Sequence, residues 1–299
     1  MAANVPSAGT PDLQTDAGLR SSIPHTESRA LLVTAIGEKY RRLLRYKYKE
    51  IHAYAQKCNA RLIVQDKPLD PTNRRSLFSQ RLLIPTSYPE YDIIALFDMD
   101  IHISRSTPDI FETMDCASGL AAVLDQRGSE SFRRTWRDFP RILSETSESY
   151  FSSRGFPVAQ DIQGSVNGGI LLFRPHVIGS LFSDYYWSDH TQNSVGDGNE
   201  EAPLAYISQT NDIFQALDDR YNRQFIYSWN VDYYGNMFDS ICNTICSSVS
   251  YRGVMKLTGI DSMRCVKSMM YSKFIRSNMS DAYIVHMSGG YETRFRVRF

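Results

Sequence analysis

Apolar residues along this chain fall into short runs of two kinds, and their alternation predicts the fold. Ala30-Leu31-Leu32-Val33-Thr34-Ala35-Ile36-Gly37, Arg61-Leu62-Ile63-Val64-Gln65, Asp92 to Ile103, Gly119 to Leu124 and Ser165 to Phe173 are continuous runs too short for a confident helix. Such runs predict strands covered on both faces. Between the first two, Tyr40, Leu43, Leu44, Tyr48, Ile51, His52 and Ala55 recur at helical spacing, which makes a βαβ unit. Ser76 to Ile84 predicts a short amphipathic helix ending at Pro85, and Thr107-Pro108-Asp109 starts another with a proline in its first turn. Residues 1–28 carry no periodic pattern and read as a tail, which leaves 29–299 as one domain. Residues 126 to 160 are polar and aromatic without periodicity, as functional insertions often are. The predicted class is α/β, a mostly parallel central sheet flanked by helices.

Composition narrows what such a domain does. With 299 residues and 42% hydrophobic side chains the chain can bury one large core. Lys+Arg and Asp+Glu both number 33, so no global field recruits nucleic acid or an anionic surface, and any anion is bound locally. The five cysteines are odd in number and form no C-x-x-C pair, which argues against a disulfide framework or structural zinc and favours a reducing compartment. No apolar run approaches the roughly 18 residues of a membrane span, and the N-terminus lacks the apolar core of a signal peptide. A soluble, cytoplasmic chain is expected.

The candidate chemistry gathers where strands end. Asp98 and Asp100 stand one residue apart after the run that begins at Asp92, at the kind of carboxyl edge where α/β sheets bind ligands. Two hard oxygen ligands in this spacing suit Mg²⁺ or Mn²⁺; the bland alternative is a solvated strand end. Thr34, Ala35, Ile36 and Gly37 form a small-residue turn before a helix, which suits a nucleotide's polar groups or simple packing. It lacks G-x-G-x-x-G, so dehydrogenase chemistry is disfavoured. Arg81 faces this site or solvent. Asn167-Gly168-Gly169 opens a strand that Pro175 closes, and its glycines permit a bulge or a ligand lying on the backbone. Glu200 and Glu201 follow the loop Gly196 to Gly198 at a helix start, where acids complement the dipole or face the crevice as a base. His286 ends another short apolar run, as a ligand or as a satisfied structural histidine. Tyr185, Tyr186, Trp187, Tyr227, Trp229, Tyr233 and Tyr234 offer faces for a glycan or form core.

Taken in order, the small-residue turn, the D-x-D strand, the Asn-Gly-Gly strand, the acidic helix start and His286 before Gly289 resemble the GT-A glycosyltransferases. More narrowly, residues 30 to 290 are similar to the glycogenin and galactinol-synthase-type enzymes and to the xyloglucan xylosyltransferase and yeast galactosyltransferase group. The resemblance implies a Rossmann-like sheet, a nucleotide-sugar donor of the UDP-sugar type and a carbohydrate acceptor. It also implies Mn²⁺ (or Mg²⁺) on Asp98, Asp100 and His286. Thr34 to Gly37 and Tyr40 would meet the nucleoside, Arg81 the phosphates, and Asn167, Gly168 and Gly169 a sugar. The chain departs from these relatives after His286, where Tyr291-Glu292-Thr293-Arg294 replaces their lysine, proline and tryptophan, and at Glu200-Glu201, where many have Asp-Gln. A base at Glu200 or Glu201 would give transfer with inversion. Two other classes compete: a sugar nucleotidyltransferase, which expects a glycine-rich phosphate loop that is missing, and a noncatalytic binder of the same fold.

Overall fold

Two strands that the sequence writes as one run, Asp92 to Ile103, belong to different sheets, and the break between them creates the site. In the computed structural model, residues 27–125, 146–159, 162–188, 200–231, 233–258 and 262–288 are described. The expected tail up to residue 26, the aromatic and basic centre of the insertion, the Gly196 to Gly198 loop and Arg294 lie outside them.

The first half of the chain runs β1 (Arg29–Thr34), α1 (Glu38–Lys57), β2 (Arg61–Gln65), α2 (Ile84–Ser87), β3 (Ile93–Phe97), β4 (Ile101–Ile103) and β5 (Leu120–Leu124). After it come α3 (Ser147–Ser152), β6 (Val166–Phe173), α4 (Pro175–Trp187), α5 (Glu201–Thr210), β7 (Phe214–Ala216) and β8 (Arg223–Gln224). Helices α6 (Phe225–Val231), α7 (Tyr233–Ser247), α8 (Val249–Thr258) and α9 (Ser262–Asn278) lead to β9 (Ile284–His286). Six strands form the main sheet in the order β2-β1-β3-β6-β5-β7. Neighbours β1 and β2, β1 and β3, and β5 and β7 are parallel, whereas β6 runs antiparallel to both β3 and β5. The sheet is therefore mostly parallel with one reversed strand. A smaller sheet has the order β4-β9-β8.

Burial on both faces explains the continuous apolar runs. Leu31 and Val33 of β1 enter one core with Ile51, Phe97 and Leu172, while Ala30 and Leu32 enter the other with Leu96, Phe173 and Phe182. Each fully buried side chain of this size contributes about 1.5–3 kcal/mol relative to exposure, before the entropy of ordering it.

Two local expectations need correction, and the choice left open for the aromatic residues falls to core for three of them. Pro85 does not end a helix: Ser79–Leu83 is a 3₁₀ turn, and Pro85 sits in the first turn of α2, where its missing N–H costs nothing. The segment after Thr107 forms only the 3₁₀ turn Ile110–Thr113, capped by Asp109 accepting from the Phe111 N–H. Among the aromatic residues offered as a glycan face, Tyr186, Tyr227 and Trp229 are buried. Trp229 stacks on Phe225 at 5.4 Å in a core of its own with Tyr271 and Phe274.

Candidate active site

Backbone pairing brings three distant segments to one point. Past β3, the Asp98 N–H donates to the Gly169 carbonyl of β6 (2.8 Å). Two residues on, the Asp100 carbonyl accepts from the Met287 N–H (2.8 Å), and Ile101 pairs with His286 as β4 joins β9. Asp98 and Asp100 thus occupy the crossing between two sheets rather than the end of one strand. Beneath them β4 is clamped by α1: the buried Lys47 ammonium donates to the Ile101 carbonyl, and the buried Glu50 carboxylate accepts from the Ile103 N–H. Burial, with Lys47 beside it, holds His102 well below the usual histidine range. The neutral ring accepts from Lys47 at 2.8 Å.

Ligand atoms of Asp98, Asp100 and His286 all lie within 4.8 Å of one another. Their chemistry fits a divalent cation. His286 Nδ1 faces the amide oxygens of Asn167 (3.0 Å) and Asn222 (3.1 Å), which accept its proton, while Nε2 lies 3.4 Å from Asp100 Oδ1 and 3.8 Å from Asp98 Oδ2. The tautomer fixed in this way turns the Nε2 lone pair toward the carboxylates, as outer hydrogen bonds do for metal-binding histidines. Burial opposes a proton on the His286 ring, but Asp100 and Asp98 outweigh burial and raise its pKa. Burial would raise Asp100 too, yet the facing His286 leaves it below the usual carboxylate range. Burial, opposed by Arg81 and assisted by Asp100, holds Asp98 above that range.

Arg81 is the hub on the other side. Its guanidinium pairs with Asp98, with Glu200 Oε1 at 2.6 Å and with the Gly168 carbonyl at 2.7 Å. Burial opposes its charge, but Asp98 and Glu200 outweigh that cost and raise its pKa. Glu200 is buried and lifted to about 7, by burial first and then by Glu201 and Asp98 against the pull of Arg81. Glu201 is less buried, and its Oε1 accepts from the Gly168 N–H at 3.1 Å. The glycines at this point sit at a bulge, one of the two readings that the sequence left open, and they also let side chains pack against the backbone. The β5–β6 register shifts between Ala122 and Leu124, a bulge opposite the Asn167 to Ile170 segment. A Cβ on Gly168 would also stand 2.9 Å from Arg81 Nη1, and one on Gly169 would overlap the His286 ring.

A pocket of about 660 Å³ opens over this cluster. Its acidic and basic wall is formed by Arg81, Asp98, Asp100, Glu200, Glu201 and His286, with Asn167, Gly168 and Gly169. Its apolar lining includes Thr34, Ile36, Tyr40, Leu43, Leu77 and Phe78, the last with its ring 5.4 Å from the Arg81 guanidinium. Of the predicted turn, Ala35 is buried away and Gly37 does not line the pocket; Gly37 precedes α1 with φ 85°, a value glycine adopts without strain. The sequence reading missed Phe78, Lys39, Arg154 and Asn222. Phe78 had a signal, an aromatic on the short turn beside Arg81; Asn222 had none, because it reaches Asn167 across 55 residues (2.8 Å).

No family model matches the chain, and no curated protein matches its sequence. Among solved structures, it is similar to mouse xyloside xylosyltransferase 1, at 12% identity over 66% of this chain and 87% of that one, with TM-score 0.38. It is also similar to the galactosyltransferase LgtC solved with donor and acceptor sugar analogs, at 12% identity over 87% of each chain and TM-score 0.42. A third likeness is to a glycosyltransferase involved in glycosylating the major capsid of PBCV-1, at 10% identity over 87% of this chain and 93% of that one, with TM-score 0.45. All three are glycosyltransferases, the class that the sequence resembles, and all three likenesses are distant.

Proposed function

We propose that the protein is a metal-dependent glycosyltransferase that uses a nucleoside-diphosphate sugar, of the UDP-sugar type, and a carbohydrate hydroxyl as acceptor. The observation that carries this reading is the charge pattern around Arg81 and His286: four carboxylates, Asp98, Asp100, Glu200 and Glu201, line the pocket there, with Lys39 and Arg154 as its other cations. An anionic diphosphate and these acids repel one another by about 4 kcal/mol per charge pair near 4 Å at an intermediate dielectric, so they share the pocket through a cation. Asp98, Asp100 and His286 would hold Mn²⁺ or Mg²⁺, which supplies Lewis-acid stabilisation of the departing diphosphate.

The remaining roles belong to the chain itself. Arg81, held by Asp98 and Glu200, presents a fixed positive edge to the phosphates. Tyr40 and Phe78 offer apolar faces to the nucleoside, and a volume near 660 Å³ suits a ligand of that size. Asn167, Gly168 and Gly169 line the same pocket and would lie beside the transferred sugar. Because Glu200 is buried against Arg81, Glu201 is the acid that faces the acceptor hydroxyl as base. Inverted configuration at the anomeric carbon is then expected; retained configuration, read by proton NMR of the first-formed product, would leave Glu201 as a residue that orients the donor.

Titration calorimetry with UDP, with and without Mn²⁺, tests the reading. It expects heat of binding in Mn²⁺ that disappears on chelation and in Asp100→Asn. Equal binding of UDP without any divalent cation would contradict it.

A further inference from the structure

The balanced charge of the whole chain conceals a local imbalance on α7, α8 and α9. Between residues 233 and 278, Arg252, Lys256, Arg264, Lys267, Lys273 and Arg276 stand against two acids, Asp239, which pairs with Lys267 at 3.8 Å, and Asp261, in a chain of net charge zero. The same helices expose large aliphatic side chains. Helix α8 buries none of its residues, and Val249, Val254 and Leu257 are 79%, 57% and 88% exposed. On α7, Met237, Ile241 and Ile245 follow at four-residue spacing, which puts them on one side of the helix, and all three are exposed. Neither property alone names an occupant. Together they do.

We propose that this helical layer docks peripherally on an anionic lipid surface, with the aliphatic side chains entering the headgroup and acyl boundary and the cations meeting lipid phosphates. Amphipathic helices that carry Lys and Arg beside aliphatic residues bind such interfaces by adding apolar burial to electrostatic attraction. Charge selects lipid over a second copy of the chain. In a two-fold contact the same patch would face itself, setting its cations against identical cations, whereas an anionic bilayer complements them. The docking is peripheral because, among the described residues, no helix is long and apolar enough to cross a membrane. None of Val249, Arg252, Val254, Lys256 and Leu257 lines the active-site pocket, so the surface and the reaction are separable by substitution.

The test is cosedimentation of the full chain with vesicles of phosphatidylcholine alone or mixed with phosphatidylglycerol. The parent is expected to bind the mixed vesicles and not the neutral ones, and to be released as salt rises. The pair Arg252→Glu with Lys256→Glu, and separately Val254→Asp with Leu257→Asp, should each weaken binding by at least about tenfold. Both pairs should leave the thermal midpoint unchanged, since these side chains are exposed. Failure of the parent to bind mixed vesicles, or full binding by both pairs of variants, would overturn the proposal. So would a dimer in light scattering that becomes a monomer in Val254→Asp with Leu257→Asp, which would assign the face to a second copy.

Discussion

Gly169 lies so close to His286 that a β-carbon on the glycine would occupy the space of the imidazole. The contact joins the reversed strand β6 to β9 across 117 residues of sequence, counted from 169 to 286. It makes the glycine a packing requirement of the histidine. Gly169→Ala should therefore push the ring from its place between Asn167 and Asp100. We expect a loss of about 1–3 kcal/mol in stability from overpacking and a weaker Mn²⁺ affinity, read by denaturant unfolding and by calorimetry. Unchanged affinity would show that the ring has room that the close contact denies.

Asp98 and Asp100 differ in their second partner, and their variants should differ in kind. Both Asp98→Asn and Asp100→Asn should abolish metal-dependent turnover. Asp98 also pairs with the buried Arg81, so Asp98→Asn should lower the denaturant midpoint as well, by a cost on the order of 3 kcal/mol, with Asp100→Asn affected less. Equal stabilities would mean that Glu200 alone holds the guanidinium.

Because neighbouring acids raise the His286 pKa, a proton and a cation compete for Nε2. Mn²⁺ affinity should rise as pH increases through and above the usual histidine range, with proton release on binding. Calorimetry in buffers of different ionisation enthalpy reads that release. His286→Ala should bind Mn²⁺ more weakly and lose the release. If His286→Ala binds Mn²⁺ and donor as the parent does, the histidine is structural.

Glu200 predicts a pH dependence of stability. Its folded pKa of about 7 lies above the ordinary 4.5, so the native state holds the proton more tightly than the unfolded chain does. Its favourable contribution is complete below pH 4.5 and is lost as pH rises from there through 7. The full span is on the order of 3 kcal/mol. Unfolding of metal-free protein across this window should show the decline, and Glu200→Gln should flatten it.

How much of this was legible beforehand follows from what each feature depends on. Strand β2 was readable to the residue, and β1 to within three residues at its end, because strands covered on both faces are written as unbroken apolar runs. The split of Asp92 to Ile103 was not, since nothing apolar marks the point where a chain leaves one sheet for another. The reversal of β6 was equally hidden, for direction is set by the path of intervening residues rather than by the strand itself. The meeting of Arg81 with Glu200 across 119 residues was hidden too, since no local pattern records it. Pro85 was read as ending a helix, yet it sits in the first turn of one, where a missing N–H is harmless; Pro175 follows the end of β6 as read and also opens the next helix. The aromatic residues proposed for a glycan show the limit of composition: Tyr186 and Trp229 are buried where their polar atoms reach Asp70 and Asp239.

Turnover of the donor without any acceptor tests the central claim most directly. The purified chain would be incubated with Mn²⁺ and each of a panel of nucleoside-diphosphate sugars, and release of the nucleoside diphosphate followed. Slow release from one donor, stopped by chelation and absent in Asp100→Asn, is the predicted result. Release that survives chelation, or no release from any donor while a nucleoside triphosphate and a sugar phosphate yield pyrophosphate, would contradict a metal-dependent glycosyltransferase.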